Sequence, residues 1–515
     1  MKQMMPEARQ VGNQQLVSRA KQQLTWLLPL VVLLFGLGLR LVDLTDPPFD
    51  FHPTRQLRAA IIARGMYYEM LPTADAVVRE QASQLRSMLK TYEPQVFERL
   101  VALTYLAAGG EHLWIARLYA ILFWCLGGWF LFDLARRMVS WIGGLAALAY
   151  YLLLPLAVTA SRSFQPDPLV TVWILASLWC AYRWHQACTW RWALATGLIA
   201  GLTLLIKVTA VFFLAPAVVI LVLDMWGLRQ ALRRWEVWAA AGLAVLIPAS
   251  YYIAQLGSYS ASYFEFWTGS FYNMWVDPSF YVQWLKILDR LFNLALLVAG
   301  VVGVAMVPAR GVRSALLSMW LGYGVYGLVF PFQIQSHEYY SLMFVPVVAL
   351  SLAPLGELLV KTLQTRACFW RLVAAAALLV GVGYPTWLTY TGLIGVNYAG
   401  EAAAWTKMGQ ALPAEGQIIA LTHDYGVRIG YYGWRFVHLW PGSEDFSMLS
   451  RRASSSGEEA ADFEQLFLAE TQNMDYFLVT RFDQLEAQPL LRDRLYSQYP
   501  ILAQGDGYIL FDLEP

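Results

Sequence analysis

Apolar blocks close to 20 residues long recur along most of this chain, and their length limits what it can fold into. An α-helix rises about 1.5 Å per residue, so about 20 apolar residues cross the hydrocarbon core of a bilayer. The chain has 515 residues, of which 58% are hydrophobic and 14% charged. A soluble protein carries about 25% charge. The expected fold class is therefore a polytopic α-helical membrane protein.

Eleven spans are expected, at roughly 24–42, 113–132, 142–160, 167–183, 192–207, 209–227, 236–254, 290–307, 315–332, 340–356 and 372–391. The polar residues 1–23 have no small-residue cleavage pattern after them, so the first span reads as retained rather than removed. With residues 1–23 placed in the cytoplasm, the inner loops hold Arg136, Arg137, Arg183, Arg191, Arg229, Arg233, Arg234, Arg310, Arg313, Lys361, Arg366 and Arg371. Among the short outer turns only Arg162 and Lys207 are basic, which is a positive-inside pattern. The organisation expected is a cytoplasmic N-terminus (1–23), a transmembrane catalytic domain (24–391) with long outer loops at 43–112 and 255–289, and an extracytoplasmic domain (392–515).

The loop 43–112 carries an amphipathic stretch around Arg55–Tyr68, read as a helix lying on the membrane, with shorter helices at 80–91 and 94–107. The loop 255–289 is rich in Tyr, Phe and Trp, which suits either an interfacial belt or a wall against a lipid-linked ligand. The last segment reads as a small α/β module. Helices are expected at 401–412 and 458–472, the latter after a loop at Ser454–Gly457. Strands are expected at Gln417–Thr422, 427–432 and Tyr476–Thr480, and as a hairpin of Tyr499–Gln504 with Tyr508–Leu513 about Gly505-Asp506-Gly507. Cys125, Cys180, Cys188 and Cys368 show no metal or disulfide spacing and read as small buried hydrophobes. A formal net charge of +1 gives nucleic acid no footing as a partner.

Two acids stand out. Asp50 lies in Pro-Pro-Phe-Asp-Phe-His-Pro-Thr-Arg-Gln, just past the first span, with His52, Arg55 and Arg58 close behind. An ionised Asp can take the proton of an attacking hydroxyl, and Arg can clamp a phosphate through parallel hydrogen bonds. Asp167 stands between Pro166 and Pro168 at the mouth of the fourth span, five residues after Arg162. It reads as a site acid, as a helix N-cap with proline at the first helical position, or as both. Lys207 sits among apolar residues, where a cation must be paired or must snorkel; binding a donor phosphate is the sharper reading. The run His337-Glu338-Tyr339-Tyr340 follows the ninth span. No cofactor is fixed by these residues; a divalent cation held by Asp50, His52, His337 and Glu338 is one option.

Taken together, the Asp50 run, the Arg162-to-Asp167 spacing and the His337–Tyr340 run resemble the membrane-embedded glycosyltransferases of the GT-C superfamily, in the branch of protein O-mannosyltransferases and the aminoarabinose transferase of lipid A. The resemblance covers about 25–390; where many relatives carry Asp-Glu, this chain has Asp50-Phe51. It implies an inverting transfer of sugar from a polyprenyl phosphate, such as undecaprenyl phosphate, to a lipid, glycan or protein acceptor. The site would face the extracytoplasmic side of the bacterial inner membrane. Asp50 would be the base and Asp167 the second catalytic acid. Arg55, Arg58, Arg162 and Lys207 would neutralise the leaving phosphate, with His52, His337, Glu338, Tyr339 and Tyr340 binding donor or acceptor. Partners would be membrane lipids and the two substrates, and a monomer is expected. A phospho-group transferase, a transporter and a scaffold are the other classes compatible with the residues alone.

Overall fold

The computed structural model describes residues 26–89, 93–256, 265–443, 445–446 and 463–514. The expected N-terminus 1–23 and the loop Ser454–Gly457 lie outside these residues, as do parts of the 255–289 loop and of the 458–472 helix.

Helices meet every expected span, yet not as eleven uniform rods. Among the described residues five helices are long and apolar enough to cross a membrane, or six if one bent pair counts as a span. Shorter apolar helices run over Trp26–Leu41, Trp141–Leu153 and Trp190–Ile206. The expected span 290–307 is two helices, Pro278–Phe292 and Leu294–Met306, which meet at 84°. Asn293 makes that corner in the left-handed region (φ 64°), and its side chain accepts from the Ala295 N–H. The span 372–391 is Cys368–Leu378, a π-helical turn and Tyr384–Ile394.

The span 142–160 breaks at Pro155, which starts a second short helix, Pro155–Ala160. Proline cannot donate to the carbonyl four residues back. Side chains supply donors at the break: Trp124 Nε1 reaches the Tyr151 carbonyl (3.3 Å), and the buried Arg40 reaches that of Leu152 (2.9 Å). A break at membrane depth is tolerated when its freed groups are met in this way. Elsewhere small residues let helices close up. A Cβ at Gly197 or Gly201 would collide with the backbone oxygens of Ala240 or Leu243 on the helix Trp235–Tyr252.

The helix Pro53–Met70 replaces the expected surface helix. It is buried along most of its length, from Gln56 to Tyr67, and packs on the helices Ala76–Ser87, Val96–Ala108 and Val427–Tyr432. A helix covered on this many sides has no open apolar face to lay on lipid.

The C-terminal residues form one five-stranded sheet, ordered β2-β1-β3-β5-β4. The strands are β1 (Ile418–Leu421), β2 (His438–Leu439), β3 (Tyr476–Val479), β4 (Ile501–Gly505) and β5 (Tyr508–Asp512). β1 pairs parallel with β2 and β3, while β5 pairs antiparallel with β3 and β4. Side chains alternate between two cores, as the period of a strand requires. Ile418, Ala420, Leu478 and Leu510 join the core of the helical bundle. Ile419, Leu421, Phe477, Val479, Ile509 and Phe511 pack with Phe467, Leu491 and Leu495 on the other face. The segment 427–432, expected as a strand, is a helix. Gly426 turns the chain just before it (φ 76°), and Val427, Ile429, Gly430 and Tyr431 are then buried.

Candidate active site

Two buried arginines organise the segment around Asp50. Arg117, in the first turns of the helix Leu113–Met138, donates to the carbonyls of Asp43 (3.2 Å) and Leu44 (3.4 Å) and to Asp50 Oδ1 (3.0 Å). Arg162 also donates to the Asp43 carbonyl, at 2.8 Å. His52 then takes a left-handed conformation (φ 46°) and starts the helix Pro53–Met70. Its Nε2 lies 3.0 Å from Glu338 Oε2, and Arg290 donates to Glu338 Oε1 at 2.6 Å.

The two acidic runs meet through Gln56. Its Nε2 donates to the Phe51 carbonyl (2.6 Å) and lies 3.4 Å from Asp50 Oδ1, while its Oε1 accepts the Phe164 N–H (3.1 Å). Asp167 does not cap its helix. Gln165 is the N-cap residue and Pro166 the first helical residue, so Asp167 falls inside the first turn of Pro166–Ala187. Its Oδ1 accepts from Lys207 Nζ at 2.8 Å, with both side chains almost fully buried. Lys207 therefore does not snorkel. It sits in extended backbone where the helix Trp190–Ile206 ends, 5.4 Å from the Tyr340 ring centre. Arg55 lies 4.5 Å over the Tyr339 ring, and Arg58 follows on the same helix. His337 stacks near His52 at 6.0 Å and contacts Ser336 through Nδ1 (2.7 Å). Burial, with His52 and Arg55 nearby, pushes its pKa down to about 4.

A cavity of about 570 Å³ opens beside Asp50. Asp43, Asp46, Asp50, His52, Arg290 and Glu338 form its polar wall. Leu156, Leu291, Leu393 and Val396 form an apolar one. Arg55, Arg162, Asp167 and Lys207 are not in this wall. The turn 162–167 nonetheless buries polar atoms with no hydrogen-bond partner among the described residues: Arg162 Nε and Nη1, both amide atoms of Gln165, and Asp167 Oδ2. Buried polar atoms of this kind call for a ligand or an ordered water.

The four groups considered for a divalent cation are not assembled as a metal site. Asp50 turns to Arg117, while His52 pairs with Glu338. Among the described residues no group of three or more His, Cys, Asp and Glu side chains is placed to hold a metal ion.

Sequence reasoning missed Arg117, Arg290 and Gln56. Arg117 carried a signal, a cation at the start of an apolar span. Arg290 carried the same signal, at the first residue of the expected span 290–307; Gln56 carried none, because its importance arises only where distant segments converge.

Residues 93–253 match the family model described as dolichyl-phosphate-mannose-protein mannosyltransferase. Against the curated proteins the sequence finds no match. In fold the chain is similar to ArnT from Cupriavidus metallidurans, whose crystal structure is bound to undecaprenyl phosphate. The TM-score is 0.53 at 16% identity, over 96% of this chain and 98% of that one. It is also similar to the archaeal oligosaccharyltransferase AglB from Archaeoglobus fulgidus, solved in complex with an inhibitory peptide and a dolichol-phosphate. There the TM-score is 0.56 at 13% identity, over 95% of this chain and 74% of that one. The arabinofuranosyltransferase AftD from Mycobacteria aligns with a TM-score of 0.54 at 14% identity, over 94% of this chain and 41% of AftD. Over most of its length the chain shares the overall fold of these three structures.

Proposed function

We propose that this protein is an inverting glycosyltransferase. It moves a sugar from a polyprenyl phosphate, such as undecaprenyl phosphate, to a lipid, glycan or protein acceptor at the outer face of a bacterial inner membrane. The observation that carries the reading is the cavity beside Asp50, which joins four carboxylates (Asp43, Asp46, Asp50 and Glu338) and one exposed guanidinium, Arg290, to an apolar wall. A lipid phosphate can offer its anion to Arg290 and its hydrocarbon chain to the apolar wall. The folds of ArnT and AglB, each solved with a polyprenyl-type phosphate, support this donor class.

Asp50 Oδ1 is held by Arg117 and approached by Gln56, which leaves Oδ2 as the proton acceptor. The acceptor hydroxyl gives its proton to Oδ2, and its oxygen forms the new bond to the anomeric carbon. The bond from that carbon to the phosphate oxygen breaks on the opposite face, so the configuration inverts. The electron pair leaves on the polyprenyl phosphate. Arg290 meets this charge; its pair with Glu338 is solvent-exposed and weakly held, so a phosphate can compete for it. Asp167, buried against Lys207, holds that cation and the turn in place rather than meeting the acceptor. Purified protein assayed with undecaprenyl-phosphate sugars tests the reading: transfer that Asp50→Asn abolishes is expected, and equal transfer by the variant would refute it.

A further inference from the structure

A second cavity, of about 530 Å³, lies between the helices Pro53–Met70 and Ala76–Ser87 and the C-terminal segment. Its wall includes Arg64, Gln81, Gln410, Tyr432, Trp434 and Arg435. One aromatic partition separates it from the reaction cavity. Phe49, the neighbour of Asp50, stacks on Tyr432 at 5.4 Å and packs on Tyr398 at 5.7 Å. Tyr432 lines the second cavity and Tyr398 the first.

The wall is positively charged. Arg64 is neutralised by Glu111 at 2.9 Å and held between the rings of Tyr431 and Trp434, at 3.9 and 4.1 Å. Arg435 has only backbone carbonyls: Gly409 (3.0 Å), Leu412 (3.2 Å) and Ala414 (3.3 Å). No carboxylate pairs with it among the described residues, and no Asp or Glu lines the cavity. A guanidinium has five N–H groups, so Arg435 keeps two to donate.

Trp434 supplies an independent sign of function. Its backbone is left-handed (φ 54°), an outlier for a bulky side chain. Strain of this kind persists where the surroundings enforce it and gathers at ligand sites. Gln81 enforces it here by donating to the Trp434 carbonyl at 2.8 Å, and Tyr68 packs its ring edge-on at 5.8 Å.

We propose that this cavity binds an anionic saccharide. The indole of Trp434 takes the apolar face of a sugar ring, Arg435 takes a carboxylate or phosphate oxygen, and Gln81 and Gln410 serve hydroxyl groups. On the transferase reading, the ligand is an acid-bearing sugar of the acceptor, held while another part reaches Asp50; the binding itself does not depend on that reading.

Saturation-transfer NMR on the full chain in detergent tests this, with glucuronic acid, glucose 6-phosphate and glucose as probes. Both anionic sugars should bind saturably and at least about tenfold more tightly than glucose. Arg435→Gln should remove that preference. Gln410→Trp, at an exposed helical position, should block all three by filling the space, and it keeps the test alive if the arginine variant fails to fold. Asp50→Asn should abolish transfer and leave saccharide binding intact, so the two readings can fail separately. Equal binding of glucose and glucuronic acid, binding indifferent to Gln410→Trp, binding lost in Asp50→Asn, or no saturable binding would each overturn the proposal.

Discussion

Gln56 Oε1 accepts the backbone N–H of Phe164 at 3.1 Å, and this bond holds the Asp50 run beside the Asp167 run. The same side chain donates to the Phe51 carbonyl at 2.6 Å and is almost fully buried. Gln56→Leu would leave both backbone groups unpaired, at about 1–3 kcal/mol each. The expected outcome is a lower melting temperature together with slower transfer. A variant with wild-type transfer would show that the two runs need no tie.

The buried pair of Asp167 and Lys207 lends itself to a double-mutant cycle. Removing one partner strands the other charge, which typically costs about 3–5 kcal/mol. Asp167→Asn and Lys207→Met should each reduce stability and folded yield, and the double variant should recover part of the loss. Additive losses, measured by thermal unfolding in one detergent, would show that the pair is not coupled.

Arg290 is expected to bind the donor phosphate, so Arg290→Gln should weaken undecaprenyl phosphate binding by about tenfold or more, the scale of a charge-assisted hydrogen bond. Glu338→Gln should act in the opposite direction, because it frees Arg290 for the phosphate. Binding titrations on both variants distinguish this from general loss of structure, which would weaken both.

His337 gives a pH dependence of defined sign. Burial and the neighbouring His52 and Arg55 lower its pKa from the ordinary 6.5 to about 4, while Glu338 works the other way. Between these values the unfolded chain binds a proton that the folded chain does not, so stability rises with pH. The contribution is complete above about pH 6.5 and is lost as pH falls toward 4. Melting temperature should therefore fall over this window, with a smaller slope in His337→Asn. Equal slopes would show that His337 titrates normally.

Asp50→Asn should retain fold and lipid binding but lose transfer by at least roughly 100-fold, the scale of general-base catalysis. The amide can still accept a hydrogen bond from Arg117, but that buried guanidinium loses its anionic partner, so the melting temperature should fall while the fold is kept. Near-normal turnover would remove Asp50 from its assigned role.

Helices are the legible part of this chain, because apolar block length maps directly onto them. Their breaks are less so. Pro155 and Asn293 interrupt apolar runs that read as continuous, and a single residue outweighs the hydropathy of a whole window. The segment 427–432 reads as a strand because a short apolar run fits strand and helix alike, and packing against Pro53–Met70 settles it as a helix. At the site, Asp50, His52 and Glu338 are legible as charges flanking spans, and they do line one cavity. The true environment of Asp167 is not. Its flanking prolines suggest a cap, whereas its partner is Lys207, 40 positions away in sequence. Arg290 stands at the start of an expected span, but its partner Glu338 lies 48 positions away, and Gln56 acts through contacts across the fold that no local pattern announces.

A structure of the protein with undecaprenyl phosphate bound is the most direct test. The phosphate should lie in the cavity between Asp50 and Arg290, within hydrogen-bond distance of that guanidinium, with the chain along Leu156, Leu291 and Leu393. A lipid phosphate bound elsewhere, with this cavity empty at saturating ligand, would contradict the account.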